Sequence, residues 1–254
     1  MTSITSKEIK AVFAAAEMDR EFACEAGHQE GDGEAEVRAA IRRTNMPVHD
    51  RSSFESLYAG QPRWEIGRPQ KAILDVADRI TGSVLDAGCG SGENALFFAS
   101  RGQKVTGMDF LAEPISIAKR KAVERGLTAT FLVMDALALN KVPEVFDSAI
   151  DSGLFHVFSD EDRRRYVAGL ASVLKPGGRL FLLCFSDAEP GDQGPRRVSR
   201  KEIEDAFANG WSIESVEPSR YEVRPDPNDS SFRDGGPQAW FMVARKIQGT
   251  TETA

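Results

Sequence analysis

The strongest constraint on the fold is the stretch Val84–Asn94, which reads Val-Leu-Asp-Ala-Gly-Cys-Gly-Ser-Gly-Glu-Asn. Apolar residues lead into an acid, glycines follow at positions 88, 90 and 92, and helix-forming residues continue to Arg101. This order predicts a strand, a tight turn and a helix. Glycine permits positive φ and close approach of a ligand to the backbone, and the free N–H groups at a helix N-terminus attract anionic groups. The stretch therefore predicts a ligand-binding turn, with an ordinary strand-to-helix turn as the simpler alternative.

A second acid supports the ligand-binding interpretation. The next predicted strand, Lys104–Asp109, ends in a carboxylate about 20 residues after Gly88, which is the spacing typical of a ribose-binding acid. The dinucleotide fingerprint G-x-G-x-x-G would place its third glycine at position 93, which is Glu93 here. The glycines are led instead by Asp86. We therefore expect a nucleoside cofactor without a pyrophosphate, and an oxidoreductase that uses a dinucleotide is the less favoured alternative.

Strands and helices alternate along the rest of the chain. The predicted strands are Ser83–Ala87, Lys104–Asp109, Thr130–Asp135, Phe146–Asp151, Arg179–Phe185, Ile213–Val223 and Gln238–Arg245. The predicted helices are Ser52–Gly60, Pro69–Ile80, Glu93–Arg101, Ala112–Arg125, Asp160–Leu174 and Ser199–Ala208. Alternation with continuous apolar strands predicts an α/β fold, a doubly wound and mostly parallel sheet covered on both faces. Ligands of such sheets bind at the carboxyl ends of the strands where the strand order reverses, here between strands 1 and 4.

Together these features resemble the class I S-adenosylmethionine-dependent methyltransferases. The resemblance rests on Asp86-x-Gly88-x-Gly90-x-Gly92, on Asp109 and on the turn Leu-Lys-Pro-Gly-Gly-Arg at 174–179, and it covers about residues 58–246. It implies a seven-stranded Rossmann-like sheet whose last strand is antiparallel. It also implies S-adenosyl-L-methionine as methyl donor and S-adenosyl-L-homocysteine as product. The segments 151–156 and 184–187 look most like those of the thiopurine and heterocycle-methylating small-molecule enzymes.

The resemblance also implies the cofactor contacts. Asp86 would lie near the cofactor's ammonium group, Asp109 would accept from the ribose hydroxyls, and Phe110 would pack on the adenine. Asp135 would accept from the adenine amino group, while the Ala136 N–H meets a ring nitrogen. The predicted cofactor-binding set is Trp64, Asp86, Gly88, Cys89, Gly90, Gly92, Asn94, Asp109, Phe110, Met134, Asp135, Ala136 and Asp151, with no metal.

The loop Gln61–Gln70 is rich in Pro, Gly, Trp and Arg, which argues against plain helix. It resembles the Pro-x-Trp-acid-x-Gly segment of thiopurine, thiol and halide methyltransferases. In those families the segment closes over the bound cofactor. The resemblance implies such a role for Trp64 and, less directly, for Glu65, whereas a tryptophan that only covers the core is the alternative.

Methyl transfer to a protonated acceptor needs a base, while thiols and halides need none. His156 follows predicted strand 4 at the cofactor edge and is the only histidine in the part of the chain that the resemblance covers. We expect it to be the base for a hydroxyl acceptor, with Asp187 after strand 5 as the second candidate. A histidine that bonds only to backbone is the alternative.

Residues 1–50 differ from the rest of the chain. Ser6–Glu21 and Glu34–Arg43 are predicted helices, and Glu17–Glu36 carries eight acids against one arginine. We interpret residues 1–50 as an N-terminal helical extension and possible lid, followed by a methyltransferase domain over residues 51–254. An appendage without chemistry is the alternative.

Composition limits the partners and the compartment. A net charge of −7 argues against a nucleic-acid binder, whose surface is usually basic. Three widely spaced cysteines indicate neither a disulfide framework nor a zinc site. No apolar run reaches membrane-spanning length and the start carries no apolar leader, so we expect a cytoplasmic protein with no membrane partner. The oligomeric state is not indicated.

The sequence therefore predicts a methyltransferase that acts on an O, N or S nucleophile of a small aromatic or heterocyclic molecule. A thiol or halide methyltransferase is the alternative within the enzyme class. A catalytically silent cofactor-binding module that works through its N-terminal helices is the alternative outside it.

Overall fold

The computed structural model describes residues 51–60, 62–191, 194–225 and 235–247. The chain divides into two units, Met1–Met46 and Pro47–Ala254. The predicted N-terminal helices lie outside the described residues, so the extension and its lid role stay predictions.

The described chain alternates helices and strands. The helices are α1 (Arg51–Ala59), α2 (Lys71–Leu74), α3 (Glu93–Ser100), α4 (Ala112–Glu124), α5 (Asp160–Val173) and α6 (Arg200–Ala206). The strands are β1 (Val84–Ala87), β2 (Val105–Asp109), β3 (Thr130–Val133), β4 (Phe146–Ser152), β5 (Leu174–Phe185), β6 (Trp211–Arg220) and β7 (Gln238–Lys246). Short 3₁₀ turns cover Ala77–Arg79, Ala136–Lys141 and Phe155–Val157.

All seven strands form one sheet in the order β3-β2-β1-β4-β5-β7-β6. Strands β1 to β5 pair in parallel, whereas β7 runs antiparallel to both β5 and β6. The order reverses between β1 and β4, where a doubly wound sheet binds its ligand. The predicted Rossmann-like methyltransferase fold is confirmed, including the antiparallel last strand.

Both faces of the sheet are buried, because alternate side chains of each strand point to opposite sides. On β5, Phe181 and Leu183 join the core beneath α2, α3 and α4, where Phe98 and Ile115 are fully buried. Leu182 and its alternating neighbours Leu180 and Cys184 join the other core, beneath α5 and α6. Continuous apolar strands are therefore required, as predicted for a sheet covered on both faces.

The predicted helix Pro69–Ile80 is wrong in its extent. The chain forms only α2 and a 3₁₀ turn, and Val76 between them leaves helical geometry with φ −115° and ψ 12°. Tertiary contacts fix the start of α2. The Gln70 side chain bonds both the N–H and the C=O of Glu222, and the Lys71 N–H donates to the Glu222 carboxylate. The start of α2 is thus bonded to the chain that follows β6, and the helix itself ends after Leu74.

The other element predictions hold with shifts of a few residues at their ends. The largest is β5, which begins at Leu174 and not at Arg179 because Leu174 already pairs with Phe146. No helix among the described residues is long and apolar enough to cross a membrane. The same residues contain no group of three acidic, histidine or cysteine side chains that could hold a metal ion.

Candidate functional site

The glycine turn lies at the carboxyl end of β1, at the point where the strand order reverses. Gly88, Gly90 and Gly92 all have positive φ, at 68°, 52° and 84°. A Cβ on Gly90 would lie 2.8 Å from the Tyr58 hydroxyl and 3.1 Å from Glu65 Oε1, so the turn is covered closely by other side chains. A Cβ on Gly92 would instead meet Ala118 at 2.9 Å, so this glycine serves the packing of α3 against α4.

The Cys89 side chain is turned away from the turn's open side. It is buried in the core, and its Sγ would lie 3.0 Å from a Cβ on Gly107 of β2. Burial raises the pKa of the Cys89 thiol well above its ordinary value. Cys89 therefore faces the core with its side chain, and burial disfavours its thiolate.

Asp86 is a fully buried carboxylate with one unused oxygen. Its Oδ2 accepts from the Ala95 N–H at 3.0 Å, while its Oδ1 and the Oδ1 of neighbouring Asn94 have no hydrogen-bond partner among the described residues. Burial raises the pKa of Asp86 to about 7, although the Ala95 N–H and the Asn94 side chain lower it in part. A buried acceptor without a donor is costly, and a cationic ligand group would satisfy it.

Asp109 ends β2 and holds two turns together. Its Oδ2 accepts from the Gly90 N–H at 3.1 Å and its Oδ1 from the Leu111 N–H at 3.0 Å. Burial raises its pKa, and the Leu111 and Gly90 N–H groups oppose this. Asp135 follows β3 and is exposed, and its Oδ1 accepts from the Leu137 N–H at 2.8 Å as the cap of the next 3₁₀ turn. Each carboxylate keeps lone pairs for a further donor.

Helix α1 and the loop that follows it cover the glycine turn. The Phe54 ring lies edge-on to Phe110 at 5.6 Å and to Trp64 at 6.4 Å. The Trp64 indole N–H donates to the Tyr58 hydroxyl at 3.3 Å, and that hydroxyl donates to Glu65 Oε1 at 3.5 Å. An aromatic roof formed by Phe54, Tyr58 and Trp64 thus lies over the turn, and it brings together the predicted residues Trp64 and Phe110.

A chain of polar contacts fixes this roof to the body of the domain. Glu65 accepts from both the N–H and the hydroxyl of Ser91 in the glycine turn. Lys121 of α4 donates to Ser91 Oγ at 2.6 Å and to Glu93 Oε1 at 2.7 Å. Arg125 completes the chain with two bonds to Glu93. Burial raises the pKa of Glu93, but its bonds to Arg125 and Lys121 outweigh this and the net shift is downward. Glu93, which replaces the third dinucleotide glycine, therefore connects α3 to α4.

Four carboxylates, Glu65, Asp86, Asp109 and Asp151, lie around the glycine turn, and Lys121 reaches the turn with one positive charge. Asp109 and Asp151 both raise the pKa of Asp86, and Glu65 raises that of Asp109, so the groups lie within Coulombic reach of one another. S-adenosylmethionine carries a sulfonium, an ammonium and a carboxylate, and thus one net positive charge. The excess of negative charge fits this cofactor, and it disfavours a pyrophosphate.

Asp151 stabilises the turn after β4 through hydrogen bonds. Its Oδ1 accepts from the Leu154 and Phe155 N–H groups at 2.8 and 3.3 Å, and its Oδ2 accepts from the buried Tyr166 hydroxyl at 2.9 Å. Burial raises the pKa of Asp151 to about 6, and the Leu154 N–H and Tyr166 lower it in part. Asp151 thus fixes the turn that carries His156.

His156 is only 5% exposed and forms an aromatic wall with Phe185 and Tyr221. Its ring lies 5.0 Å from that of Phe185 and 6.2 Å from that of Tyr221. The Phe185 N–H donates to His156 Nδ1 at 3.0 Å. The Tyr221 hydroxyl donates to the Ser152 carbonyl at 3.0 Å, which ties the wall to the end of β4.

Asp187 occupies a different environment from His156. It is exposed beyond the end of β5, and its Oδ1 accepts from the Trp240 indole N–H at 3.4 Å and from Ser186 Oγ at 3.3 Å. Met134 and Ala136 lie after β3, beside the capping carboxylate Asp135. The structure therefore gathers the predicted cofactor residues along one edge of the sheet and leaves Asp187 at the surface.

Sequence reasoning missed several residues of this edge. Phe54 and Tyr58 stand four apart on α1, a spacing that places them on one helix face and was available as a signal. Tyr221 and Lys121 have no local sequence signal. The sheet order brings Tyr221 to the turn after β4, and the docking of α4 brings Lys121 to the glycine turn.

The glycine turn lies between carboxylates and beneath the aromatic roof, on a seven-stranded sheet with this strand order. These features together are typical of a domain that transfers a group from a nucleoside-containing donor. Comparison with known proteins agrees. Residues 84–178 match the family described as "Methyltransferase domain". The chain is 36% identical over 214 residues to the 2-heptyl-1-hydroxyquinolin-4(1H)-one methyltransferase of Mycobacteroides abscessus, which covers 79% of this chain and 92% of that protein. The chain belongs to the S-adenosylmethionine-dependent methyltransferases.

Two solved structures extend the comparison. One, described under "Conversion of a Disulfide Bond into a Thioacetal Group during Echinomycin Biosynthesis", is 34% identical with a TM-score of 0.66, over 85% of this chain and 94% of that one. The other is the 1,6-didemethyltoxoflavin-N1-methyltransferase of Burkholderia thailandensis with bound 1,6-didemethyltoxoflavin and S-adenosylhomocysteine. It is 21% identical with a TM-score of 0.55, over 88% and 93% of the two chains, and it supports the fold alone.

Proposed function

We propose that this enzyme methylates an acidic hydroxyl group on a small aromatic heterocycle of the hydroxyquinolone kind. The observation that carries the proposal is the relationship to the Mycobacteroides hydroxyquinolinone methyltransferase, which extends over nearly the whole of that protein. The aromatic wall of His156, Phe185 and Tyr221 supports it, because flat rings pack well against aromatic side chains.

For the cofactor, we propose the contacts that the site geometry supports. Asp86, with its unused buried oxygen, binds the ammonium group, and Asp109 accepts from the ribose hydroxyls. Phe110 packs on the adenine and Asp135 accepts from its amino group, next to the Ala136 N–H. Trp64 and its aromatic neighbours cover the bound cofactor, as the contacts across Gly90 indicate.

The reaction itself requires little from the protein. The acidic hydroxyl would lose its proton to solvent, and its oxygen would take the methyl group from the sulfonium of bound S-adenosylmethionine, leaving S-adenosylhomocysteine as the neutral thioether product. The sulfonium is already an activated leaving group, so alignment and exclusion of water supply most of the rate enhancement.

The test is a panel of acceptors incubated with S-adenosylmethionine and followed by mass spectrometry. We expect methyl transfer to a 1-hydroxyquinolin-4-one and to related ring hydroxyls, and none to the matched quinolone that lacks the N-hydroxyl. Transfer to thiols alone, or to none of the panel, would overturn the proposal. Calorimetry with S-adenosylhomocysteine and NAD, of which only the former should bind, keeps the cofactor assignment separate from the choice of acceptor.

A sulfur acceptor is the second candidate. The echinomycin-related structure is described by the conversion of a disulfide bond into a thioacetal group. Its alignment with this chain spans 94% of that protein at 34% identity. Sulfur nucleophiles need no proton transfer, so the site as described would serve them equally. A cyclic disulfide in the acceptor panel distinguishes this candidate from the hydroxyl.

We propose further that the enzyme works in the cytoplasm and without nucleic acid. The two described cysteines, Cys89 and Cys184, are free and buried, as expected in a reducing compartment. The net charge of −7 opposes binding to a phosphate backbone. Sedimentation with and without nucleic acid tests the second statement and measures the oligomeric state.

A further inference from the structure

We infer that Gln70 and Glu222 are positioning residues for the acceptor, because they fasten the loop over the glycine turn to the chain that carries Tyr221. Through these two residues, binding of the cofactor and binding of the acceptor are coupled. The inference deepens the proposed function and rests on it, since it takes the aromatic wall of His156, Phe185 and Tyr221 as the acceptor side of the site.

Two segments that are far apart in the sequence run side by side at this edge of the sheet. The roof loop, residues 62–71, carries Trp64, and the strap, residues 221–225, follows β6. The Arg224 N–H donates to the Arg63 carbonyl at 2.8 Å, and Arg63 Nε donates back to the Arg224 carbonyl at 3.3 Å. Bonds in both directions thus hold the two segments together at one end.

The other end is closed by a side chain that takes the place of a backbone partner. Gln70 is only 4% exposed, and its amide bonds twice to one residue of the strap. Its Nε2 donates to the Glu222 carbonyl at 2.9 Å, and its Oε1 accepts from the Glu222 N–H at 2.7 Å. A neighbouring strand would satisfy the same two groups. Because buried backbone groups without partners are costly, this pair of bonds fixes the strap to the roof loop.

The Glu222 carboxylate makes a second set of bonds to the roof loop. It accepts from the Arg68 guanidinium at 2.7 and 2.9 Å and from the Lys71 N–H at 2.7 Å. The bonds from Arg68 lower the pKa of Glu222, so the carboxylate stays charged at neutral pH. Glu222 therefore bonds to the loop through its backbone and its side chain, whereas an exposed ion pair alone would contribute little.

Tyr221 precedes Glu222 and is placed by these contacts. Its N–H donates to the Pro237 carbonyl at 2.9 Å, and its hydroxyl donates to the Ser152 carbonyl at 3.0 Å. A Cβ on Gly153 would lie 2.5 Å from that hydroxyl, so the tyrosine fits against the turn after β4 only because this position is glycine. Tyr221 is thus held at its hydroxyl, at its own N–H and, through the next residue, by the roof loop.

The Tyr221 hydroxyl also lies close to the carboxylates around the glycine turn. Burial raises the pKa of Tyr221, and Glu65 and Asp86 are among the carboxylates that raise it further. The aromatic wall and the cofactor turn therefore meet at this side chain. Energetic coupling between sites is carried by packed side chains and hydrogen-bond networks of this kind. Movement of the roof loop on cofactor binding is transmitted through the strap to the wall.

Amide hydrogen exchange followed by mass spectrometry tests the coupling without an acceptor. We expect S-adenosylhomocysteine to slow exchange at least about fivefold in peptides that cover the roof loop and also in those that cover the strap. In Gln70→Met, which removes both amide bonds at similar side-chain size, the roof loop should still be protected and the strap should not. Absence of protection in the wild-type strap, or equal protection in the variant, would overturn the inference.

Lys71→Met is the matched control on the adjacent residue. The Lys71 side chain pairs with Asp75, with both groups more than half exposed, and the variant keeps the backbone N–H that donates to Glu222. We expect wild-type protection of the strap in this control, and its loss there would contradict the assignment to Gln70.

Arg68→Met is the second variant, and it keeps the test decisive if Gln70→Met does not fold. It removes the two guanidinium bonds to the Glu222 carboxylate at the surface. Protection of the strap by S-adenosylhomocysteine should fall at least about twofold in this variant. Unchanged protection would overturn the role of Glu222.

Calorimetry and kinetics with 1-hydroxyquinolin-4-one add a readout that a purely structural role would not move. The wild-type protein should bind this acceptor at least about fivefold more tightly with S-adenosylhomocysteine bound than without it. In Gln70→Met the ratio should approach one, and KM for the acceptor should rise by the same factor while kcat changes about twofold or less. An unchanged ratio, or a fall in kcat at constant KM, would overturn the inference. Failure of every acceptor to bind, with protection of the strap intact, would instead count against the proposed function.

Discussion

Among single residues, Asp86 has a buried carboxyl whose ionisation is unfavourable for folding, and it is also the residue proposed to bind the ammonium group of the cofactor. Its buried carboxyl keeps one oxygen without a partner among the described residues, and burial raises its pKa to about 7. The cost is tolerated because the same oxygen is placed for a cation. Functional sites often contain groups that lower the stability of the free protein, and the rest of the fold offsets this loss.

The first prediction concerns the stability of ligand-free Asp86→Asn. In the native protein the pKa is about 7, against an ordinary value of 3.8, so ionisation disfavours the folded state as pH rises from about 4 to 7. Asparagine keeps the acceptor for the Ala95 N–H and removes the charge. We expect the free energy of unfolding at pH 8 to increase by about 1–4 kcal/mol. The gain should largely disappear at pH 4, because the folded carboxyl is then protonated and the pH is close to the ordinary carboxyl pKa of 3.8, so little proton uptake accompanies folding.

Urea unfolding at the two pH values measures this effect. Asp78→Asn is the matched control, because Asp78 has a 91% exposed side chain and pairs with Arg101 at the surface. A destabilised Asp86→Asn at pH 8 would show that the carboxylate is compensated in the free protein.

The second prediction is a pH-dependent affinity of the wild-type protein. If Asp86 binds the ammonium group as a carboxylate, the association constant for S-adenosylmethionine should fall below pH 7, approaching about tenfold per pH unit. Calorimetry between pH 5.5 and 8.5 measures it. Asp86→Asn should bind weakly at all of these pH values, and a flat profile in the wild type would exclude Asp86 as the titrating ligand.

The third prediction tests Asp109. Its carboxylate orients the Gly90 and Leu111 N–H groups and is proposed to accept from the ribose. Asp109→Ala should lose about 1.5–3 kcal/mol of binding free energy for S-adenosylhomocysteine, the range for a hydrogen bond to a charged group. Calorimetry measures the loss, with Asp78→Ala as control. Unchanged affinity would remove Asp109 from the ribose site.

At the scale of elements, helix α4 contributes to the site from outside the sheet edge. Lys121 reaches Ser91 in the glycine turn and Glu93 at the start of α3, and its Nζ lies 4.0 Å from Glu65 Oε2. One side chain therefore connects a helix, a turn and the loop that carries Trp64. Such partly buried networks contribute more than exposed ion pairs, because removing one member leaves the others without partners.

The fourth prediction follows from this connection. Lys121→Met should lower the free energy of unfolding by about 1–3 kcal/mol, since Glu93 and Ser91 each lose a donor. It should also weaken binding of S-adenosylhomocysteine, because the roof loses its anchor.

Arg120→Met is the matched control on the same helix. Arg120 pairs with Glu124 at 3.7 Å with both side chains more than half exposed, so its loss should cost at most about 0.5 kcal/mol. Chemical denaturation and calorimetry measure both variants. Equal effects would show that the network adds nothing beyond a surface pair.

At the scale of the whole molecule, the open question is what residues 1–50 contribute. The described part of the chain contains the sheet, both cores and the glycine turn, and α1 already places an aromatic roof over the turn. The predicted lid lies outside the described residues.

The fifth prediction is that deletion of residues 1–48 leaves a folded core that binds S-adenosylhomocysteine but turns over acceptor more slowly. Lids that exclude water often gate transfer chemistry of this kind. Circular dichroism, calorimetry and acceptor kinetics measure the three properties. Wild-type kinetics would reduce the segment to an appendage, and failure to fold would show that it is structural.

Much of the fold and of the cofactor edge could be predicted from local sequence. The glycines at 88, 90 and 92 have positive φ, and the acids at 86 and 109 lie at the carboxyl ends of adjacent parallel strands, Asp86 one residue before the end of β1. Strand–helix alternation then leaves few ways to close the sheet. These signals are local in the chain, and each is a property of a residue type at a fixed spacing.

Only the tertiary structure decided the rest, because the contacts concerned join residues far apart in the chain. The helix predicted over 69–80 ends after Leu74, its start is bonded to Glu222 through Gln70, and Lys121 reaches the turn only once α4 has docked. The hydrogen bond at His156 Nδ1 comes from the Phe185 N–H, which β5 brings there from 29 positions away. Residue type indicates that a histidine can take a proton, but only the partner of its other nitrogen determines whether it accepts or donates.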